Sequence, residues 1–189
     1  MTYPTKKGQY LYRDVPGWFT DEHAAVLDKL IQENEVSQVI EIGSYLGKSA
    51  VFFGSRVLET LCIDPFVMWP DGRNNGDAMR DGGEDFFGKF KENIINARSH
   101  GPNLASIKVV RKTSEAAFHD NLELYADLIY VDGQHDYVSV KNDLLMWSRR
   151  AKKVICGDDY DENWPELQRA VDEVFPDRII EGRIWYKII

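Results

Sequence analysis

The chain has 189 residues and a formal net charge of −8, and 43% of its residues are hydrophobic and 29% charged. These values are typical of a globular domain that buries its own core, so we expect one domain over 1–189 with an N-terminal extension at 1–22. The acidic balance argues against a broad nucleic-acid-binding surface, and the absence of any run of 18 apolar residues argues against a membrane span.

Apolar spacing predicts alternating strands and helices along the chain. Helices are expected at 24–34, 47–57, 85–97, 114–122, 137–149 and 164–175. Strands are expected at 39–42, 60–63, 107–110, 128–131, 154–156, 178–180 and 184–188, the last two forming a hairpin. This alternation predicts an α/β fold of the Rossmann-like, doubly wound type, with a mostly parallel seven-stranded sheet and a C-terminal antiparallel hairpin.

A glycine turn follows the first predicted strand and contains the tripeptide Gly-Lys-Ser, which also ends a phosphate-binding P-loop. Only three residues separate Gly43 from Gly47, one fewer than a P-loop requires, and Tyr45 stands where a dinucleotide fingerprint has its second glycine. Asp64 ends the second strand, where an acidic residue hydrogen-bonds ribose hydroxyls. The turn is therefore predicted to face an adenosine-containing cofactor without a pyrophosphate, and Lys48 to be a solvated helix residue.

Acidic residues stand at the ends of several predicted strands, namely Glu41, Asp64, Asp132, Asp158 and Asp159. A single carboxylate at such a position commonly caps the next helix. Five on one edge of a parallel sheet repel one another and need hydroxyl, amide or cation partners. Ligands of open α/β sheets bind at this carboxyl edge, so the cluster predicts the functional site.

Four segments in this order resemble class I S-adenosylmethionine-dependent methyltransferases: EIGSYLGKSA, LCIDPF, DLIYVDGQHDYVSVKNDLLMW and KKVICGDDY. The last two are similar to the branch of small-molecule and sugar O-methyltransferases that includes the catechol and macrocin types. The resemblance runs from about residue 17 to the C-terminus. It implies methyl transfer from S-adenosylmethionine to a small hydroxylated acceptor such as a phenol or a sugar.

The resemblance also implies roles for individual residues. The cofactor would contact Glu41, Gly43, Ser44, Tyr45, Ser49, Asp64, Thr113, Ser114 and Asp132. Mg²⁺ or another divalent cation would be held by Asp132, Asp158 and Asp159, although the catechol type commonly has Asn at the last position. His135 stands where the catechol type has its Lys base, so His135 and Asp132 are the predicted catalytic residues.

Residues 65–83 are glycine-rich and polar, and they predict a lid that is mobile without ligand and closes over the acceptor. The competing interpretation is a rigid loop packed through Phe66, Met68 and Trp69.

Two other functions stay open at this point. Tyr137 and Lys141 have the Tyr-x-x-x-Lys spacing of short-chain dehydrogenases, although Tyr137 has the phase of a core-facing helix residue. A methyltransferase-like binding domain without turnover is the alternative from a different class.

No apolar segment follows the first charged residues, so no secretory signal is predicted and a cytoplasmic location is expected. Cys62 and Cys156 lie in apolar runs and are predicted to be buried free thiols, with a disulfide as the weaker alternative. A homodimer is compatible with the sequence.

Overall fold

The computed structural model describes residues 11–67, 85–100, 104, 106–120 and 123–189. The helices in these ranges are α1 (Asp21–Glu33), α2 (Lys48–Gly54), α3 (Phe86–His100), α4 (Ser114–Asp120), α5 (Tyr137–Trp147) and α6 (Pro165–Val174). The strands are β1 (Gln38–Ile42), β2 (Glu59–Ile63), β3 (Ser106–Val110), β4 (Ala126–Val131), β5 (Ala151–Gly157), β6 (Ile179–Glu181) and β7 (Ile184–Ile188). Each predicted helix and strand is present, with ends shifted by a few residues.

The sheet has seven strands in the order β3-β2-β1-β4-β5-β7-β6. Strands β1 to β5 pair in parallel, whereas β7 is antiparallel to both β5 and β6. The predicted Rossmann-like architecture with its closing hairpin is therefore confirmed. Strand order reverses at β1, which pairs with β2 on one side and β4 on the other, so the ligand crevice is expected at this switch point.

The core has two layers because side chains alternate between the two faces of each strand. Val39 packs with α1, α2 and α3 on one face, whereas Ile40 and Ile42 pack with α4, α5 and α6 on the other. Every residue of β4 is buried, as expected for a central parallel strand covered on both sides. The fold thus leaves the carboxyl ends of the strands, rather than their faces, available for a site.

The N-terminal segment contributes to the core. Tyr12, Val15 and Phe19 are buried, and the Tyr12 ring meets Phe52 of α2 edge-on at 5.6 Å between centroids. The Tyr12 hydroxyl donates to Asp21 at 2.5 Å. Residues 11–20 of the predicted extension therefore form part of the packed structure.

Cys62 and Cys156 are buried free thiols, as predicted. Within the described ranges, no helix combines the length and apolar character needed to cross a membrane. Most of the predicted lid lies outside the described residues. Of its described part, Phe66 is buried against Phe87 and Phe90 of α3, with ring centroids 5.0 and 5.1 Å away.

Candidate active site

A cavity of about 620 Å³ opens at the carboxyl edge of the sheet. Its wall brings together eleven of the predicted site residues: Gly43, Ser44, Tyr45, Ser49, Asp64, Thr113, Ser114, Asp132, His135, Asp158 and Asp159. The remaining one, Glu41, lies directly before the glycine turn and is completely buried. The cavity volume lies in the range of small-molecule sites, and its position matches the switch point of the sheet.

Two positions in the turn that follows β1 require glycine for steric reasons. Gly43 has a φ of +88°, and a Cβ there would lie 1.9 Å from the carbonyl oxygen of Asp132. Gly47 has the same φ, and a Cβ there would approach the Phe90 ring to 2.9 Å. Tyr45, between them, adopts a φ of 45°. The turn therefore lies tightly against the end of β4 and against α3, and its residues Gly43, Ser44 and Tyr45 line the cavity.

Asp64 holds this turn in place. Its Oδ2 accepts hydrogen bonds from the backbone amides of Ser44 and Tyr45 at 2.8 and 2.9 Å, and its Oδ1 accepts from the Phe66 amide at 2.5 Å. Burial raises the pKa of Asp64, and the three amide donors oppose that shift. Oδ1 accepts one described bond and retains a lone pair for a ligand hydroxyl.

Lys48 differs from its predicted role as a solvated residue. Its side chain is half-buried on the cavity wall, and Nζ donates to the Gly17 carbonyl at 2.9 Å. The adjoining Trp18 ring lies 5.3 Å from the Tyr45 ring. Lys48 thus holds the N-terminal segment at the cavity wall, and no local pattern signals this contact because 31 residues separate the partners.

Glu41 is a buried carboxyl group behind the turn. Ser44 Oγ donates to its Oε2 at 2.5 Å, whereas Oε1 has no hydrogen-bond partner among the described residues. Desolvation raises the pKa of Glu41 to about 6. The site therefore contains a carboxyl group that gains from a nearby positive charge.

Asp132, His135 and Asp159 converge at the other end of the cavity. Each contributes one potential ligand atom, and these atoms lie within 4.8 Å of one another. His135 Nε2 lies 2.6 Å from Asp159 Oδ2, and its ring stacks on Trp164 with centroids 4.1 Å apart. Asp159 adopts a φ of 64°, which Asp and Asn tolerate better than other non-glycine residues.

Asp158 lies beside this group but is engaged in other contacts. Its Oδ1 accepts from the Asp159 amide at 2.6 Å, and its Oδ2 lies 3.3 Å from Nδ1 of the buried His23 of α1. The same His23 nitrogen lies 3.2 Å from the Thr20 amide that begins the helix. Asp158 therefore lies against the start of α1, where Nδ1 of His23 accepts the Thr20 amide proton.

Burial dominates the electrostatics of this end of the cavity. It raises the pKa of Asp132 well above its usual value, and the negative charges of Asp158 and Glu41 add to the increase. Burial also raises the pKa of Asp158, opposed by His23 and Arg183. Desolvation lowers the pKa of His135 to about 4. The cluster therefore favours a bound cation, and His135 is neutral at pH 7.

Arg183, from the turn between β6 and β7, is a site residue that the sequence analysis missed. It lines the cavity and forms ion pairs with Asp159 and Asp161. The sequence pattern predicts only a hairpin turn for the segment that contains it. Its place in the site depends on the antiparallel pairing of β7 with β5, which puts the turn at the carboxyl end of β5. The local sequence does not indicate this pairing.

The opposite end of the cavity contains a buried hydrogen-bonded chain. Trp147 Nε1 donates to Ser114 Oγ at 2.7 Å, and Ser114 Oγ donates to Asp143 Oδ1. Asp143 is a second cavity residue that the sequence analysis did not single out. Desolvation raises its pKa to about 6, with Asp136 and Glu115 contributing negative charge.

Replacing Asp143 by Asn is expected to stabilise the fold at pH 7 by about 1–3 kcal/mol. The folded-state pKa lies above the unfolded one, so ionisation destabilises the native state as the pH rises through about 6. The gain should therefore be much smaller near pH 4, where the folded carboxyl is protonated and the unfolded one is partly protonated. Urea unfolding at both pH values measures it, with the exposed Glu162→Gln as control. A gain of equal size at pH 4 would contradict this account.

The Tyr-x-x-x-Lys pair lies outside the cavity wall. Lys141 Nζ donates to the Tyr137 hydroxyl at 2.9 Å and to Glu173 of α6 at 2.7 Å. Tyr137 also donates to Glu173. The pair thus joins α5 to α6, and the sequence feature that favoured a dehydrogenase has a structural explanation.

Comparison with known proteins identifies the family. The model of a methyltransferase domain family matches residues 40–160, well over half of the chain. The chain belongs to this family. The matched segment contains the glycine turn, Asp64, Asp132, His135, Asp158 and Asp159, so the predicted class I methyltransferase is confirmed.

Several solved structures share the fold of this methyltransferase. CalS11, a calicheamicin methyltransferase, superposes with a TM-score of 0.61 and 20% identity, covering 87% of this chain and 77% of that one. An O-methyltransferase from Bacillus cereus in complex with SAH gives a TM-score of 0.62 and 11% identity, covering 94% and 85%. An uncharacterised protein of Acanthamoeba polyphaga mimivirus is 26% identical over 182 residues, 91% of this chain and 75% of that protein.

Proposed function

We propose that this methyltransferase transfers the methyl group of S-adenosylmethionine to a hydroxyl oxygen of a small acceptor. The observation that carries the proposal is the arrangement of one continuous cavity, with an Asp64-held glycine turn at one end and the His135–Asp159 pair at the other. The glycine turn with Asp64 suits the binding of a nucleoside, and the His135–Asp159 pair suits proton transfer. Both lie within the segment matched by the family model.

The cavity suits a cofactor that is cationic and has no phosphates. The Oδ1 lone pair of Asp64 is placed to accept a ribose hydroxyl, and Ser114 and Thr113 line the wall where the adenine would lie. The carboxyl groups of Glu41 and Asp132 complement the sulfonium and ammonium charges of S-adenosylmethionine. SAH is the ligand in the B. cereus O-methyltransferase complex, which supports this assignment.

His135 is proposed to accept the acceptor's hydroxyl proton. A general base needs a free lone pair near pH 7 and a partner that fixes its orientation. The lowered pKa keeps the imidazole neutral, Asp159 orients it through Nε2, and Trp164 packs on its face. Nδ1 is then the nitrogen that takes the proton, and the Asp159 carboxylate stabilises the imidazolium that results.

The acidic end also fits a divalent cation. The candidate donors are the carboxylates of Asp132 and Asp159, with that of Asp158 beside them, and oxygen-rich sets suit Mg²⁺ or Mn²⁺. When bound there, the ion would lower the pKa of the acceptor hydroxyl. The chain's own part is to bury these carboxylates close together; burial, and then the charges of Asp158 and Glu41, raise the pKa of Asp132.

The acceptor is proposed to be a small hydroxylated molecule such as a phenol or a sugar. CalS11 is a TDP-rhamnose 3′-O-methyltransferase, so a similar fold serves a sugar acceptor in that protein. Incubating the protein with labelled S-adenosylmethionine and a panel of phenols, catechols, sugars and nucleotide-sugars tests this. Cofactor binding without product from any acceptor would favour the non-catalytic binding domain.

Cofactor binding has a direct test at Asp64. Asp64→Ala is expected to weaken S-adenosylhomocysteine binding by about 1–3 kcal/mol, because the turn amides and the ribose lose a charged acceptor. Calorimetric titration measures the change. Glu59→Ala is the matched control, since Glu59 begins the same strand at its opposite end and pairs with Lys108. Equal affinity of Asp64→Ala and wild type, or equal stabilisation of the wild type by NAD, would argue against the proposed cofactor site.

A further inference from the structure

Arg183 is a cation built into the acidic end of the cavity. It follows Gly182, whose φ of 63° forms the tight turn between β6 and β7. The antiparallel pairing of β7 with β5 carries this turn to the carboxyl end of β5, where Asp158 and Asp159 lie. An arginine from the last hairpin therefore reaches residues more than twenty positions earlier in the chain.

The contacts of Arg183 are centred on Asp159. Nη2 pairs with Asp159 Oδ1, and Nε lies 3.0 Å from Asp161 Oδ2 and 3.9 Å from Asp158 Oδ1. The other oxygen of Asp159, Oδ2, lies 2.6 Å from His135 Nε2. Both oxygens of Asp159 are thus engaged by groups of the chain itself.

We propose that Arg183 is an intramolecular competitor of the divalent cation for Asp159, and that it sets the metal affinity of the site. This inference rests on the metal site of the proposed function. A guanidinium stays protonated at all physiological pH values, so a divalent ion at Asp159 would meet a permanent like charge a few ångströms away. The ion binds with full strength only when the arginine has left the carboxylate.

The position of Arg183 makes such an exchange feasible. Its side chain is 42% exposed, so it can rotate toward solvent, and this movement would expose Nε, which is buried while the ion pairs are formed. A divalent ion carries twice the charge of a guanidinium, so it can displace the arginine from Asp159. With the ion absent, the same arginine compensates the charges of Asp158, Asp159 and Asp161. The acidic cluster is thus stable in both states.

Titration with Mn²⁺ alone tests the competition. Arg183→Gln is expected to bind Mn²⁺ at least about tenfold more tightly than the wild type, by calorimetry or by the electron paramagnetic resonance signal of free Mn²⁺. Arg183→Lys retains the charge and should stay near the wild-type affinity. Arg178→Gln is the matched control, because Arg178 precedes the same hairpin but pairs with Asp172 and Tyr160. Saturating Mn²⁺ should also raise the Tm of Arg183→Gln more than that of the wild type.

Equal or weaker Mn²⁺ binding by Arg183→Gln would overturn the proposal, and so would a complete lack of Mn²⁺ binding by this variant. The same result for Arg178→Gln as for Arg183→Gln would also overturn it, since the effect would then be one of net charge. S-adenosylhomocysteine titration of the same proteins reports on the cofactor site separately. A loss of that binding with the Mn²⁺ results intact would refute the methyltransferase proposal and leave the role of Arg183 standing.

Discussion

Replacing His135 by alanine is expected to lower kcat by about 10²–10⁴-fold while S-adenosylhomocysteine affinity stays at the wild-type level. The imidazole is neutral because burial lowers its pKa, and it is fixed between Asp159 and the Trp164 ring. Its removal takes away the proposed proton acceptor without touching the glycine turn or Asp64. Steady-state kinetics on the best acceptor of the panel, together with calorimetry of the cofactor product, measure the two quantities separately.

The control for this variant is His119→Ala. His119 is an exposed histidine of α4 and lies outside the cavity wall, so its removal should leave both quantities unchanged. A His135→Ala enzyme that keeps the wild-type kcat and pH profile would exclude His135 as the base. Proton removal would then depend on activation of the acceptor by the metal.

Removing divalent cations with EDTA is expected to abolish turnover, and Mg²⁺ or Mn²⁺ should restore it. The carboxylates at the end of the cavity lie close enough to repel one another, and a divalent ion both relieves this repulsion and activates the acceptor hydroxyl. Because Arg183 is proposed to compete with the ion for Asp159, mild chelation should be enough to remove the ion. Activity assays before and after dialysis, with metal analysis of the same samples, measure the effect.

Asp132→Asn tests the requirement for a metal at one of the proposed ligands. The variant retains the shape of the side chain but loses a charge, so we expect it to lose metal binding and turnover together. Glu162→Gln removes one exposed charge elsewhere and is the control for net charge. Full activity of metal-free wild-type enzyme would remove the metal from the mechanism, leaving His135 and Arg183 as the groups that act at this end of the cavity.

The local pattern of the chain determined the fold class and one half of the site. Strand and helix periodicity predicted the element order, because each strand of a parallel sheet is an apolar run and each covering helix has one apolar face. The spacing of Gly43 and Gly47 excluded a P-loop, and Asp64 followed at the distance expected of a ribose-binding residue. These signals are readable because each depends on residues close together in sequence.

Only the tertiary structure decided how the other half of the site is arranged. The sequence predicts the acidic residues at the strand ends. It does not predict the contact between Asp158 and His23 or the ion pair between Asp159 and Arg183. Lys48 likewise donates to the Gly17 carbonyl at the cavity wall. These contacts join residues that share no periodic pattern, and they arise because sheet pairing brings α1, β5 and the final hairpin to one edge. The local sequence around a charged residue in a turn does not distinguish a solvent-exposed side chain from one that pairs with a carboxylate. The partner is determined only by strand pairing, which brings distant residues together.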